Sequence, residues 1–357
     1  MLLTMPLSRQ KYLPTFSQWK KFMSNLYLFT ARVAARERLD KIISDLKDTD
    51  AQFGNRACVY ATGSFGRLEA GPDSDLDLFI ITDSRADDPE KSQLSAVDEI
   101  KIKSKIIETA EKNDLAKFDG GGRFLTSHLM ESFVEWLGSN EDDFRNTLTG
   151  RMLMLLESKP LVGSQVYEKT INLVICKYFR DYNGHEETFT PAFLFNDIIR
   201  MWRTFCVNYE FYRKDGDSRY KIKNLKLKFS RMLTCYSGII YLLAIFARDG
   251  RVQPNDLKAT IAISPTERLE AIAAVDFGFD ERVISELQQH VQSALTCYSE
   301  FLELTHKGAK KALKEYNAEE MKWREKSYAF GRSLSKIIDC LGSVSERSDG
   351  LRRLILI

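Results

Sequence analysis

A CxxC pair, or any other metal-ligand spacing, is missing from the six cysteines, Cys58, Cys176, Cys206, Cys235, Cys297 and Cys340. Several lie in apolar runs, as Cys176 does in INLVICKYF, where a reduced thiol packs as a small hydrophobe, so the chain reads as cytoplasmic and reducing in habit. Histidine is scarce. The four present, His128, His185, His290 and His306, have no mutual spacing that suggests a zinc site or a catalytic triad. A Walker-type phosphate loop and a dinucleotide fingerprint are both absent. Charge of one sign is absent too: 52 basic against 50 acidic residues leave +2, so whole-chain electrostatics give no warrant for a nucleic-acid or membrane partner. The longest uncharged run, Met232 to Ala247, has 16 residues with Ser237 and Gly238 inside it, short of the roughly 20 that span a bilayer, and it predicts a buried helix. The N-terminus lacks a charged region ahead of a sustained apolar core and does not read as a signal peptide. No repeat of fixed period and no low-complexity linker occurs.

What is present divides the chain in two. At 357 residues it is long for one core. Residues 15–47 place Phe16, Trp19, Phe22, Met23, Leu26, Phe29 and Val33 at helical spacing and predict one long amphipathic helix. RACVYATGS reads as a strand stopped by Gly63, and DLDLFIIT as a second strand ending at Asp83. Between residues 89 and 113, Ala96, Val97, Ile100, Ile107 and Ala110 return to a helical period, and FDGGGRFLTSHL offers a Gly-rich turn with one more strand. From Asp142 onward long helical patterns follow one another, and no strand is expected beyond residue 130. The fold class expected is α+β: a sheet-containing unit over residues 1–150, then an all-helical domain over residues 151–357.

The chemistry concentrates in GSFGRLEAGPDSDLDLF, residues 63–79. In a strand Asp75 and Asp77 point to one face while Leu76, Leu78 and Ile80 point to the other. Two half-buried carboxylates side by side are costly unless a cation joins them, and Mg²⁺ suits them because it takes oxygen ligands and keeps substrate phosphates in its shell. Gly63 and Ser64 stand where a strand ends and a short helix begins. Glycine lets backbone approach a phosphate, Ser64 can cap the helix and face an anion, and Arg67 can add positive charge one turn on.

The stretch GSFGRLEAGPDSDLD closely resembles the Gly-Ser, ten residues, Asp-x-Asp signature of the DNA polymerase β-like nucleotidyltransferase superfamily, and looks most like its branch of protein-uridylylating enzymes. The resemblance implies a nucleotidyltransferase fold, a small mixed sheet with flanking helices. It also implies that Gly63 and Ser64 hold a triphosphate and that Asp75 and Asp77 bind Mg²⁺, or Mn²⁺. The implied reaction is attack of a hydroxyl on the α-phosphate of an NTP, ATP among them, or a dNTP, with pyrophosphate leaving. Many members carry a third carboxylate on a later strand; Asp119 is the nearest candidate here, although a Gly-rich loop aspartate is equally a turn residue. The acceptor is left open between a protein side chain, a nucleotide and an oligonucleotide, and so is association with a partner protein or further copies. A role in bacterial signalling, stress or defence is an analogy. The competing expectation is a catalytically silent member that binds a nucleotide or regulates a partner.

RYKIKNLKLKFSRM, residues 219–232, mixes Lys221, Lys223, Lys226, Lys228 and Arg231 with a helical apolar face. It reads either as the solvated side of a core helix or as a cation source for the triphosphate, with Lys226 the candidate. Arg200 and Arg203 lie among Trp202, Phe205 and Tyr209, aromatics that read as core. Tyr298, Tyr316 and Tyr328 are chemically feasible nucleotide acceptors, though ordinary helix packing accounts for them equally.

Overall fold

The computed structural model describes residues 26–83, 94–116, 118, 125–213 and 219–356. A mixed four-stranded sheet with helices is followed by a mainly helical region, as expected from the sequence. Helices α1 (Leu26–Asp45) and α2 (Lys47–Phe53) lead into β1 (Ala57–Ala61), a one-turn helix α3 (Gly63–Gly66) and β2 (Leu78–Thr82). Then come α4 (Ala96–Lys112), β3 (Ser127–Leu129), α5 (Met130–Glu135), α6 (Asn140–Phe144), α7 (Thr147–Leu156) and β4 (Lys159–Val162).

The sheet order is β3-β2-β1-β4. β1 pairs antiparallel with β2, Ala57 opposite Thr82 through Ala61 opposite Leu78, and antiparallel with β4 on its other side, while β2 and β3 run parallel. β4 corrects the expectation that strands end at residue 130. It is four residues long, contains Pro160 and carries little periodic signal, and it is tolerated because an edge strand can spare the missing N–H.

β1 is buried along its whole length, and its alternation divides the core. Ala57, Val59 and Ala61 pack with Leu78 and Ile80 against α1, α2 and α4. Cys58 and Tyr60 pack with Ile81 into the larger cluster built mainly by the helices after residue 129. The helical region therefore supplies the second cover of the sheet. On α1 the buried stripe is Leu28, Ala31, Ala35, Leu39 and Ile42, continued by Leu46 just past its end, whereas Phe29 and Val33, expected inside, are exposed. Phe16, Trp19, Phe22 and Met23 lie outside the described residues. On α4 the face is Ile102, Ile106, Thr109 and Ala110, with Val97, Ile100 and Ile107 exposed.

Beyond β4 the chain forms α8 (Ser164–Tyr178), α9 (Ala192–Tyr212), α10 (Arg219–Lys226), a π-helical turn (Leu227–Arg231) and α11 (Met232–Asp249). Next are α12 (Pro254–Ala262), α13 (Pro265–Ala274), α14 (Glu281–His306), α15 (Ala309–Ala318), α16 (Glu320–Gly342) and α17 (Glu346–Leu356). Residues 220–249 are the one described helix long and apolar enough to cross a membrane, and 83% of its most apolar window is buried inside the molecule. Arg151, fully buried on α7, is held by Asp142, Asp197 and the Tyr178 hydroxyl, and Arg200 joins from α9. Removing either sign from such a set would strand the other in the core.

Candidate active site

The register of β1 and β2 brings the Gly-Ser turn to the second aspartate. Ala61 lies opposite Leu78, and the Thr62 N–H donates to the Asp77 carbonyl at 2.8 Å, so the pairing runs one residue past each strand. Gly63 then stands beside the Asp77 side chain. Its φ is +62°, and a Cβ there would lie 2.5 Å from Asp77 Oδ2. Only glycine meets both conditions without strain. A Cβ on Gly66 would overlap the Glu157 carbonyl oxygen, so the second glycine of GSFG seats α3 against the end of α7.

From Asp75 to Ile80 burial alternates: Asp75, Asp77 and Phe79 are partly open, whereas Leu76, Leu78 and Ile80 are buried. The two carboxylates thus share a face although regular pairing begins only at Leu78. Neither accepts a hydrogen bond or forms an ion pair among the described residues. Burial raises the Asp77 pKa, and the charge of Asp75 raises it further, with Arg231 and Arg67 pulling the other way. Ser64 is the one residue from Ala61 to Gly71 that is not buried. It does not cap α3, whose capping position is Thr62 and has no side-chain cap bond, and Ser64 is partly open to solvent.

Arg67 sits differently from its expected place at a phosphate. It is buried, with Nε donating to Glu69 Oε2 and Nη1 to Glu157 Oε2, both at 2.8 Å. Burial works against its charge, but Glu157 and Glu69 outweigh that and raise its pKa. Glu69 is also buried, which raises its pKa against the pull of Arg67; the Tyr298 hydroxyl donates to it at 2.8 Å. The Glu69 carbonyl accepts from His306 Nε2, and Tyr27 meets His306 Nδ1. Tyr298 and Tyr316 are buried, and Tyr328 is the exposed member of the three tyrosines.

Glu157, at the end of α7, is the residue that motif reading missed. Its Oε1 accepts from the Gly63 N–H at 3.0 Å and Arg231 Nη1 at 3.3 Å; its Oε2 accepts from Arg67 Nη1 and the Thr234 hydroxyl. Lys226 stands near the acidic pair. Its side chain is exposed, yet crowding by protein lowers the ammonium pKa while Asp75 and Asp77 pull it up. Lys226 immediately precedes the π turn and Arg231 ends it, and both lie within electrostatic reach of Asp77. Asp119 lies outside the described residues. A cavity of about 720 Å³, bordered by Asn146, Asn196, Arg203, Val207 and Leu354, shares no residue with this arrangement.

Residues 39–117 match a family model described as a nucleotidyltransferase domain, and that segment, from within α1 to beyond α4, carries the turn and both aspartates. The match makes that segment similar to nucleotidyltransferase domains of the polymerase β-like superfamily, with no branch distinguished. No curated protein and no solved structure matches the chain. Glu157, Lys226 and Arg231 lie beyond the matched segment.

Proposed function

We propose that the protein is a divalent-metal-dependent nucleotidyltransferase, moving a nucleoside monophosphate from an NTP or dNTP to a hydroxyl acceptor. The observation that carries this reading is the adjacency of a left-handed glycine turn to two same-face carboxylates that have no partner among the described residues. Asp75 and Asp77 fit Mg²⁺ or Mn²⁺. Their like charges disfavour ionisation together, and a hard cation with phosphate and water filling its remaining positions relieves that. No cluster of three metal-ligating side chains occurs among the described residues. A metal held by Asp75 and Asp77 supplies neutralisation of phosphate charge and a lowered pKa for the attacking hydroxyl.

The chain's own groups do the rest. The partly open Ser64 and the backbone around it hold phosphate oxygens, and Lys226 and Arg231 offset the triphosphate charge from the helix that carries the π turn. The acceptor oxygen bonds to the α-phosphorus, the bond to the β-phosphate oxygen breaks, pyrophosphate leaves, and the hydroxyl proton passes to water. The likeness of the motif to uridylylating enzymes makes a protein side chain one acceptor class, beside a nucleotide and an oligonucleotide.

Incubation with each α-³²P-labelled nucleotide and Mg²⁺ or Mn²⁺, resolved by gel and thin-layer separation, tests the reading. Label on protein, a new small product or a ladder identifies the acceptor class. Asp75→Ala and Asp77→Ala should each abolish transfer in protein that still folds. Full turnover by either variant would remove the acid pair from the mechanism, and nucleotide binding without turnover under every condition would favour a silent binding module.

A further inference from the structure

We propose that Glu157 is a positioning residue that locks the Gly-Ser turn to the helical region and so sets nucleotide affinity; this rests on the nucleotidyltransferase reading. A carboxylate offers about four lone-pair sites, and here four donors fill them, two on each oxygen. A group so saturated has nothing left for a metal or a substrate proton. Glu157 is therefore not the missing third acid, although Asp77 feels its charge.

The identity of the donors gives the role. Gly63 N–H belongs to the turn, Arg67 follows α3, and Arg231 and Thr234 come from the π turn and α11. One fully buried side chain thus joins three parts of the molecule at the point where phosphate would bind. Ion pairs in that setting are strong and directional because water cannot compete for them. Fixing the Gly63 N–H also fixes the direction of the following Ser64 amide and hydroxyl. Placing Arg231 against Glu157 holds that guanidinium within electrostatic reach of Asp77. Turn, acid pair and cation are set relative to one another before nucleotide arrives, which is what preorganised phosphate recognition requires.

The full chain carrying Glu157→Gln tests this. The amide retains one acceptor oxygen and turns its NH₂ toward two of the four donors. We expect faster hydrogen exchange over residues 62–68 and a KM for nucleotide raised by about tenfold or more, with a smaller change in kcat, measured on folded, concentration-matched protein. Thr234→Val should raise KM in the same direction, and Thr234→Ser, which keeps the hydroxyl, should restore it. Unchanged KM in Glu157→Gln, with only a lowered melting temperature, would reduce Glu157 to a structural ion pair and overturn the proposal. Unchanged exchange over residues 62–68 would overturn the clamp itself, whatever the protein catalyses. A wild-type chain that binds no nucleotide with Mg²⁺ or Mn²⁺ would instead overturn the reading beneath both.

Discussion

Gly63 carries two constraints, a left-handed backbone and an Asp77 carboxylate that leaves no room for a Cβ. Gly63→Ala should cost about 1–2 kcal/mol from backbone strain alone and push Asp77 out of line. We expect a lower denaturation midpoint and transfer reduced at least tenfold; a variant that keeps both would show the turn to be plastic. Asp77 makes the opposite bargain. Its folded-state pKa is raised by burial and by Asp75, so its contribution to stability is fully present below the ordinary aspartate value and is lost as pH rises through the raised one. Asp77→Asn should therefore melt higher than the wild type at pH 7 without divalent ions, and that advantage should vanish in acid below the ordinary aspartate range. Millimolar Mg²⁺ should stabilise the wild type and leave the variant unmoved. The turn and the aspartates were legible because one contiguous stretch with local spacing encodes them. Glu157 was not, since it bonds Gly63 across 94 positions and ends an apolar run in which a glutamate reads as a helix terminus. The burial of Arg67 was not legible either, because nothing local says that Glu69, two residues on, and Glu157 would pair with it.

Among the elements, the long helices of the second half and both strands of the motif followed from periodicity, but their inner faces did not. Phe29, Val33 and Ile100 are as apolar as the residues that pack, and only the neighbouring sheet and helices decide which stripe is covered. β4 escaped because four residues with a proline give no alternation to count. The π turn is invisible to an analysis that assumes 3.6 residues per turn, yet it governs where Lys226 points relative to Arg231. Lys226→Ala and Lys226→Gln each remove the cation that precedes the π turn. Helix content by circular dichroism should stay near wild type in both variants while nucleotide affinity drops several-fold. Affinity equal to wild type in both variants would take this helix out of the binding site.

At the scale of the whole molecule, the sheet lies between two covers drawn from different parts of the chain. Ala57, Val59 and Ala61 face the N-terminal helices, whereas Cys58, Tyr60 and Ile81 face the helical region. The motif segment is thus not covered by its own sequence neighbourhood. Residues 1–150 expressed alone lack β4, Glu157 and that second cover, and should be insoluble or melt without a cooperative transition. A soluble fragment with a sharp calorimetric transition would mark the unit as autonomous. Composition and helical texture gave the two-part layout, but the interleaved core could not be read because it depends on contacts between distant segments.

Pairing of Tyr60 with Pro160 means that the outer edge of β1 stays open until a hundred more residues have been added. At the ribosome's pace of about 5–20 residues per second, the emerging hairpin waits on the order of 5–20 seconds with bare amides along one side. Such an edge recruits whatever strand is nearest, including that of a sister chain on the same message. Slower growth temperature or a co-expressed holdase should accordingly improve recovery of the native protein more than any change made at its surface.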